Sequence, residues 1–441
     1  MTAPDVIAPL QGLLVADFSR VLAGPLATMT LADLGATVVK VERPDLGDDT
    51  RQWGPPWSAT SSSYFECVNR GKYSAGLDLE AAEDLAAARE LARRADVVVE
   101  NFRPGGLARY GLDYPAVAEA NPRAVYCSIS GFGDGAGADR PGYDFLVQAV
   151  GGLMSITGFP DGEPSKVGVA LVDVLTGKDA IIGILAALAE RRRTGRGRHL
   201  RVNLLSSLLA GLVNQASGYL ATGASPGRLG NQHPSIAPYE TLRCADGALA
   251  VACGNDRQFA RLAEVVGRPE LSADERFATN PARVTNRAAL VAALEAALAA
   301  QPAGHWERAL ADAGVPAGLV GDIGSAVQLA DRLGLAPLLD LGPDQTAQIR
   351  HPIEYDAPLA PAAAPPGLGE HTDLVRGWLA GPAVDALPRP GAARSRRAEP
   401  QPSPGPAPPP VQPPPPGPAP AHVQPPPPQP PAPRPEESAS P

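Results

Sequence analysis

Apolar positions in the first third of the chain fall into short unbroken runs that alternate with helical periodicity. Gly12-Leu-Leu-Val-Ala-Asp-Phe18 is almost continuously apolar, the pattern of a strand covered on both faces in a parallel sheet. Gly24-Pro25 opens an Ala-rich segment that predicts a helix over 26–34 with proline near its first turn. Gly35 ends it and residues 36–41 read as the next strand, which completes a βαβ unit. The rhythm repeats with a helix over 80–94 and strands over 96–100 and 124–129, ahead of the glycine-rich Gly131-Phe-Gly-Asp-Gly135. Such alternation predicts an α/β fold, a doubly wound (Rossmann-like) large domain with its ligand at the carboxyl ends of the strands.

Further on, residues 174–190 are apolar on several faces and predict a buried helix. Residues 191–199 form an exposed turn before a strand over 200–203, and 204–219 read as one apolar helix. Composition then shifts to Gly, Pro, Ser and Asn over 224–240. The strand at 248–253 starts a smaller α+β unit with helices over 256–266, 287–300 and 305–313, closed by the breaker Gly314-Val-Pro316. Residues 345–382 read as short extended pieces broken by prolines.

Charge and composition narrow the function. Of 51 prolines, 25 lie in residues 382–441, so the rest of the chain has ordinary proline content and can hold a core. The last stretch has too few large apolar side chains to fold and reads as a disordered tail. A net charge of −9 argues against nucleic acid as a partner, because phosphate binding needs a basic surface. The basic run Arg191-Arg192-Arg193 with Arg196, Arg198 and Arg201 is too short to change that. No membrane span and no basic, apolar leader follow Met1, which points to a cytoplasmic protein. Cys67, Cys127, Cys244 and Cys253 are widely spaced and the six histidines are scattered, so neither a disulfide framework nor a metal site is expected.

Among single residues, Asp173 stands out as one carboxylate at the start of an apolar helix, in Gly168-Val-Ala-Leu-Val-Asp173-Val-Leu-Thr-Gly177. The plain account is an N-cap; the alternative is a reactive carboxylate. The turn Ala23-Gly24-Pro25 lacks the G-x-G-x-x-G spacing of a dinucleotide site, and no Gly-x-Ser-x-Gly elbow, Walker loop or His-Glu-x-x-His is present.

Taken in order, Val15-Ala-Asp17-Phe18, Ala23-Gly24-Pro25, Asp33-Leu-Gly35, Val39-Lys40-Val-Glu42-Arg43, Asn69-Arg-Gly-Lys72, Val99-Glu100-Asn101-Phe102-Arg-Pro-Gly, Gly142-Tyr-Asp144, Thr194-Gly-Arg-Gly, Gly314-Val-Pro and Gly369-Glu-His-Thr372 resemble the family III CoA-transferases. This is the CaiB/BaiF group of formyl-CoA and carnitine CoA-transferases, and the resemblance runs over about residues 8–380. It implies a large domain over 1–222, a small α+β domain over 223–325, and a segment over 326–382 that returns to the large domain, with 383–441 as the tail. It also implies an open-ring chain in an interlocked homodimer. By position, Asp173 falls on the family's nucleophile. Leu22, Ala23, Arg43, Asn69, Lys72, Asn101, Phe102, Arg109 and Tyr143 fall on residues that hold coenzyme A, and Asp144 lies beside the substrate. The chemistry implied is transfer of CoA from an acyl-CoA to a carboxylic acid through an aspartyl mixed anhydride and an aspartyl-CoA thioester. CoA and acyl-CoA are then substrates, with no metal, nicotinamide or flavin. An ionised nucleophile of this kind is expected near polar donors.

Two departures bear on the acceptor. Leu22 stands where formyl-CoA transferase has Gln, and its flexible glycine loop is replaced by Leu229-Gly-Asn-Gln-His233-Pro-Ser-Ile-Ala-Pro238-Tyr. That stretch resembles members using dicarboxylates, such as succinate–hydroxymethylglutarate CoA-transferase, with His233 either binding a second carboxylate or hydrogen-bonded to backbone. The α-methylacyl-CoA racemases share the scaffold but need a His where this chain has Tyr143, whose ordinary pKa of about 10 makes it a poor base. A Pro-rich adaptor and a nicotinamide dehydrogenase are the rival readings from other classes, the first resting on composition alone and the second lacking its fingerprint.

Overall fold

A computed structural model describes residues 6–382 and Leu387. The rest of the proline-rich segment 383–441 lies outside the described residues.

Six parallel strands form the main sheet: β1 (Leu14–Asp17), β2 (Thr37–Glu42), β3 (Lys72–Gly76), β4 (Val97–Glu100), β5 (Val125–Ser130) and β6 (His199–Asn203), in the order β3-β2-β1-β4-β5-β6. Their helices are α1 (Ala23–Asp33), α2 (Ser63–Glu66), α3 (Ala82–Arg94), α4 (Tyr114–Ala120), α5 (Asp144–Val150), α6 (Leu153–Ile156), α7 (Leu171–Thr194), α8 (Leu204–Gly211) and α9 (Val213–Thr222). The central strands β1, β4 and β5 are mostly apolar because both faces are covered, whereas β6 at the sheet edge is polar and only partly buried, and the pleat sorts their side chains. Val15, Val38, Val97, Val99, Val125 and Cys127 pack with α1, α7 and α8, while Ala16, Val39, Val98 and Tyr126 pack on the opposite face with α3. The expected α/β architecture with a parallel, doubly covered sheet is present.

A second core is built by the antiparallel strands β7 (Tyr239–Arg243), β8 (Ala248–Ala252) and β9 (Ala317–Leu319) with α10 (Asp256–Val265), α11 (Asn280–Thr285), α12 (Arg287–Leu298) and α13 (Ala303–Asp312). Leu249, Phe259, Leu262, Leu294 and Leu310 fill it. Beyond it come α14 (Ile323–Arg332), a short antiparallel pair β10 (Leu338–Leu339) and β11 (Gln348–Ile349), and α15 (Thr372–Ala380).

Local expectations need five corrections, the first being that residues 191–194 are the last turn of α7, with Arg191 buried, and not part of an exposed turn. Residues 204–219 are two helices, because Val213 takes a left-handed φ of 37°. Residues 345–382 are not all extended: α15 forms where Val375 and Leu379, one turn apart, pack against the sheet with α3. Strand β3 escaped notice since Lys72 and Ser74 interrupt its apolar character, although all five of its residues are buried. Helix α7 is buried along one face only, with Ile182 exposed on the other.

Candidate active site

Strands β1 and β4 are neighbours in the sheet, yet the chain leaves β1 toward β2 and β4 toward β5. The turns after them therefore diverge and open a crevice at the switch point. Arg20, Val21, Leu22 and Ala23 line it from one side, Asn101, Phe102 and Arg103 from the other. The loop after β5 adds Phe132, Arg140 and Tyr143, and α7 adds Asp173. That loop is closed at its neck by two glycines: a Cβ on Gly131 would lie 2.5 Å from the Cα of Gly142.

Asp173 is the third residue of α7, whose N-cap is Ala170 without a side-chain cap. The capping role falls instead to Asp144 of α5. Its Oδ1 accepts from the Val172 N–H at 2.7 Å and the Asp173 N–H at 3.2 Å, and Gln148 Nε2 donates to its Oδ2 at 2.7 Å. With its helix end satisfied by another carboxylate, Asp173 is left available for chemistry. One turn further along, Gly177 presses α7 onto α1, since a Cβ there would sit 2.8 Å from the Ala23 carbonyl oxygen. This contact sets Asp173 across from the start of α1. That start has no side-chain cap, so its leading N–H groups are oriented to meet negative charge.

Two carboxylates line the crevice and their surroundings differ. Asp49 is held by Arg43 at 2.9 Å and Arg20 at 3.4 Å. Asp173 pairs with no cation among the described residues, and burial followed by the nearby Asp144 pushes its pKa up to about 7. This is opposite to the expectation that polar donors keep it ionised. Tyr64 of α2 lies within electrostatic reach of the same pair: burial, then Asp173, raises its phenol to about 12, so it stays a proton donor.

Other residues singled out by sequence are placed unequally. Asn101 clamps the turn after β1, accepting from the Arg20 N–H at 2.9 Å and donating to the Arg20 carbonyl at 2.7 Å. Arg20 lies over the Phe102 ring at 5.3 Å. A second groove, sharing Arg20 and Phe102 with the crevice, runs past Arg43, Leu77, Leu79, Glu80 and Tyr110. Arg109 stands beside it, ion-paired to Glu80 at 2.8 Å and over Tyr110 at 4.4 Å. Lys72 and Asn69 are fully buried and line neither space. Lys72 Nζ instead donates to Asp17 at 3.1 Å, the Pro25 carbonyl at 3.0 Å and Asn69 Oδ1 at 2.8 Å, which supports α1 from beneath. His233 is away from the crevice as well: its Nδ1 accepts from the Ser235 N–H at 3.1 Å, and its carbonyl accepts from Arg287 at 2.7 Å. Sequence reasoning missed Arg20, Arg140 and Tyr64. Arg20 follows β1 directly and was findable from its place at a strand's carboxyl end; no local signal marks the other two.

A model for CoA-transferase family III matches residues 10–372. The chain belongs to CoA-transferase family III. Over 291 residues it is 50% identical to a succinate–glutarate CoA-transferase of Agrobacterium fabrum, covering 64% of this chain and 73% of that one. It is 40% identical over 373 residues to the succinyl-CoA:glutarate CoA-transferase of Mus musculus, covering 83% and 86%. An acetyl-CoA:oxalate CoA-transferase of Acetobacter aceti is 46% identical over 323 residues, covering 73% and 83%. Among solved structures, a CaiB/BaiF family protein from Brucella suis superposes with a TM-score of 0.77 at 46% identity, over 85% of this chain and all of that one. This family III enzyme therefore uses acyl-CoA as a substrate. Among its described residues no three His, Cys, Asp or Glu side chains group as metal ligands, and no helix is long and apolar enough to cross a membrane.

Proposed function

We propose that this enzyme moves CoA between dicarboxylic acids through covalent intermediates on Asp173. The observation that carries the reading is a carboxyl without a cationic partner among the described residues, at the switch-point crevice beside the start of α1, which has no side-chain cap. A carboxylate oxygen of Asp173 attacks the thioester carbonyl of the donor and expels CoA thiolate, leaving a mixed anhydride. The thiolate attacks the aspartyl carbonyl, which releases the donor acid and forms an aspartyl-CoA thioester. The acceptor carboxylate reverses both steps, so bonds and charges balance without ATP. N–H groups of Leu22 and Ala23 are the oxyanion stabilisers in this scheme. A carboxyl titrating near 7 is half ionised at neutral pH, and its desolvation makes the ionised half a stronger nucleophile.

Coenzyme A fits the two joined grooves, with Phe102, Arg43 and Arg109 at the nucleotide end and Leu22, Ala23, Asn101 and Tyr143 toward the thioester. The names of the relatives, which speak of succinate, glutarate and oxalate, support dicarboxylates as acids. Arg140 is the cation for the distal carboxylate: it lines the crevice, stacks on Phe132 at 4.9 Å and makes no ion pair among the described residues. The enzyme is read as a cytoplasmic interlocked homodimer. Exposed Phe145, Ile182, Leu209, Val213 and Leu220 on α5 and α7–α9 support a second copy as their cover. The test is to incubate the enzyme with succinyl-CoA and hydroxylamine but no acceptor, then map the modification by peptide mass spectrometry. A hydroxamate at Asp173 is expected; an unmodified Asp173 under conditions of turnover overturns the scheme.

A further inference from the structure

The turn that delivers α1 to the crevice is held from below by buried charge. Lys40 of β2 is fully buried; its Nζ donates to the Ser19 carbonyl at 2.8 Å and pairs with Asp48 at 2.8 Å. Asp48, also buried, accepts from the Val21 N–H at 3.3 Å and from Thr50. Asp17 pins the two ends of the turn, accepting from the Ser19 N–H at 3.0 Å and the Thr28 hydroxyl at 2.6 Å. Between these ties Val21 has a left-handed φ of 71°, a conformation that a β-branched residue avoids and that persists only where its surroundings impose it.

We propose that the buried Lys40–Asp48 pair is a positioning device for CoA transfer, which holds Val21 in this strained backbone so that Leu22 and Ala23 face Asp173. Both residues border the second groove, but their side chains are fully buried beneath it, so neither touches substrate. The geometry explains why two full charges sit beneath an otherwise simple βα turn. Without the acceptor on Asp48, Val21 relaxes toward negative φ and the start of α1 turns away from the acyl carbon. The proposal rests on Asp173 as the nucleophile, and its test separates the two.

Asp48→Ala is expected to lower kcat by about 10²-fold, the scale of an ångström-sized misplacement, while KM for succinyl-CoA changes less than about threefold. Adding Val21→Gly, which occupies positive φ freely, should recover most of that kcat. A role limited to general stability predicts no such recovery. Val21→Gly alone, read by thermal melting, should melt at or above the wild type despite the flexibility of glycine. Wild-type kcat in Asp48→Ala, or a folded double variant no faster than the single one, overturns the proposal. A lower melting temperature for Val21→Gly also overturns it, and that readout stands even where Asp48→Ala does not fold. Failure of the nucleophile reading shows differently, as hydroxylamine leaving Asp173 untouched.

Discussion

Asp17 and Asp173 are both carboxylates at element ends beside the same crevice, one at the close of β1 and the other in the first turn of α7. Asp17 is completely buried, and burial alone would drive its pKa up. Lys72 and Lys40, with hydroxyl donors from Ser19 and Thr28, outweigh that and hold it below the usual carboxylate range. Asp173 is less buried, yet it has a carboxylate neighbour where Asp17 has lysines, and its pKa rises to about 7. Partners, more than depth, decide which of these two carboxyls is held ionised and which has its pKa raised. The lysines divide on the same balance: at Lys40 burial is outweighed by the carboxylates of Asp48, Asp17 and Glu42, which hold its pKa up, whereas at Lys72 burial wins and pulls it down to about 8 even with Asp17 beside it.

The largest effect should come from Asp173, the proposed nucleophile. Asp173→Ala is expected to cost turnover by about 10³-fold or more, as loss of a covalent nucleophile does, with circular dichroism unchanged; retained CoA exchange refutes the assignment. Breaking the ties of Asp17 acts on stability instead. Lys72→Met leaves a buried carboxylate with one lysine fewer and should cost about 3 kcal/mol in a urea titration, and a neutral result makes Asp17 no anchor.

Asp173→Asn sharpens the contrast. A carboxyl with a raised folded pKa keeps its proton more tightly when native, so stability is highest below the ordinary carboxylate range and declines as pH climbs to about 7. The Asn variant lacks that decline. Above pH 7 it should be more stable than wild type by about 1–3 kcal/mol, after discount for partial exposure, though inactive. In the wild type, kcat/KM for acyl-CoA should fall about tenfold per pH unit below about 7. A flat profile from pH 5 to 8 contradicts ionisation of Asp173 as the step being read.

The smallest expected effect concerns the acceptor. Arg140→Gln should raise KM for succinate about tenfold and for butyrate much less, because only the dicarboxylate loses a charged partner. His233→Ala should shift neither by more than about twofold, given that its ring is occupied with the Ser235 backbone. The reverse ranking returns the acceptor site to the 229–239 loop.

Most of the main sheet was legible because strands buried on both faces carry continuous apolar runs, as at 12–18 and 124–129. β3 was not, since its buried Lys72 and Ser74 look like surface residues until Asp17 and Glu42 are brought beside them. Helix α15 was hidden behind prolines, and only packing against α3 and the sheet stabilises it. The site divides in the same way. Asp173, Asn101 and Phe102 could be named in advance because each lies at or near an element end within a recognisable motif.

By itself the sequence determined the alternation of strands and helices, the family pattern and the presence of one carboxylate at the head of α7, for these depend on neighbours along the chain. Tertiary structure alone decided that Asp144 caps that helix and Asp173 does not, and that Lys72 is a strut beneath α1. It also decided that Arg140 reaches the crevice while His233 does not. Desolvation and charge pairing act over a few ångströms in space, and the groups that meet there come from β1, β3, the loop after β5, α5 and α7, which are far apart in sequence.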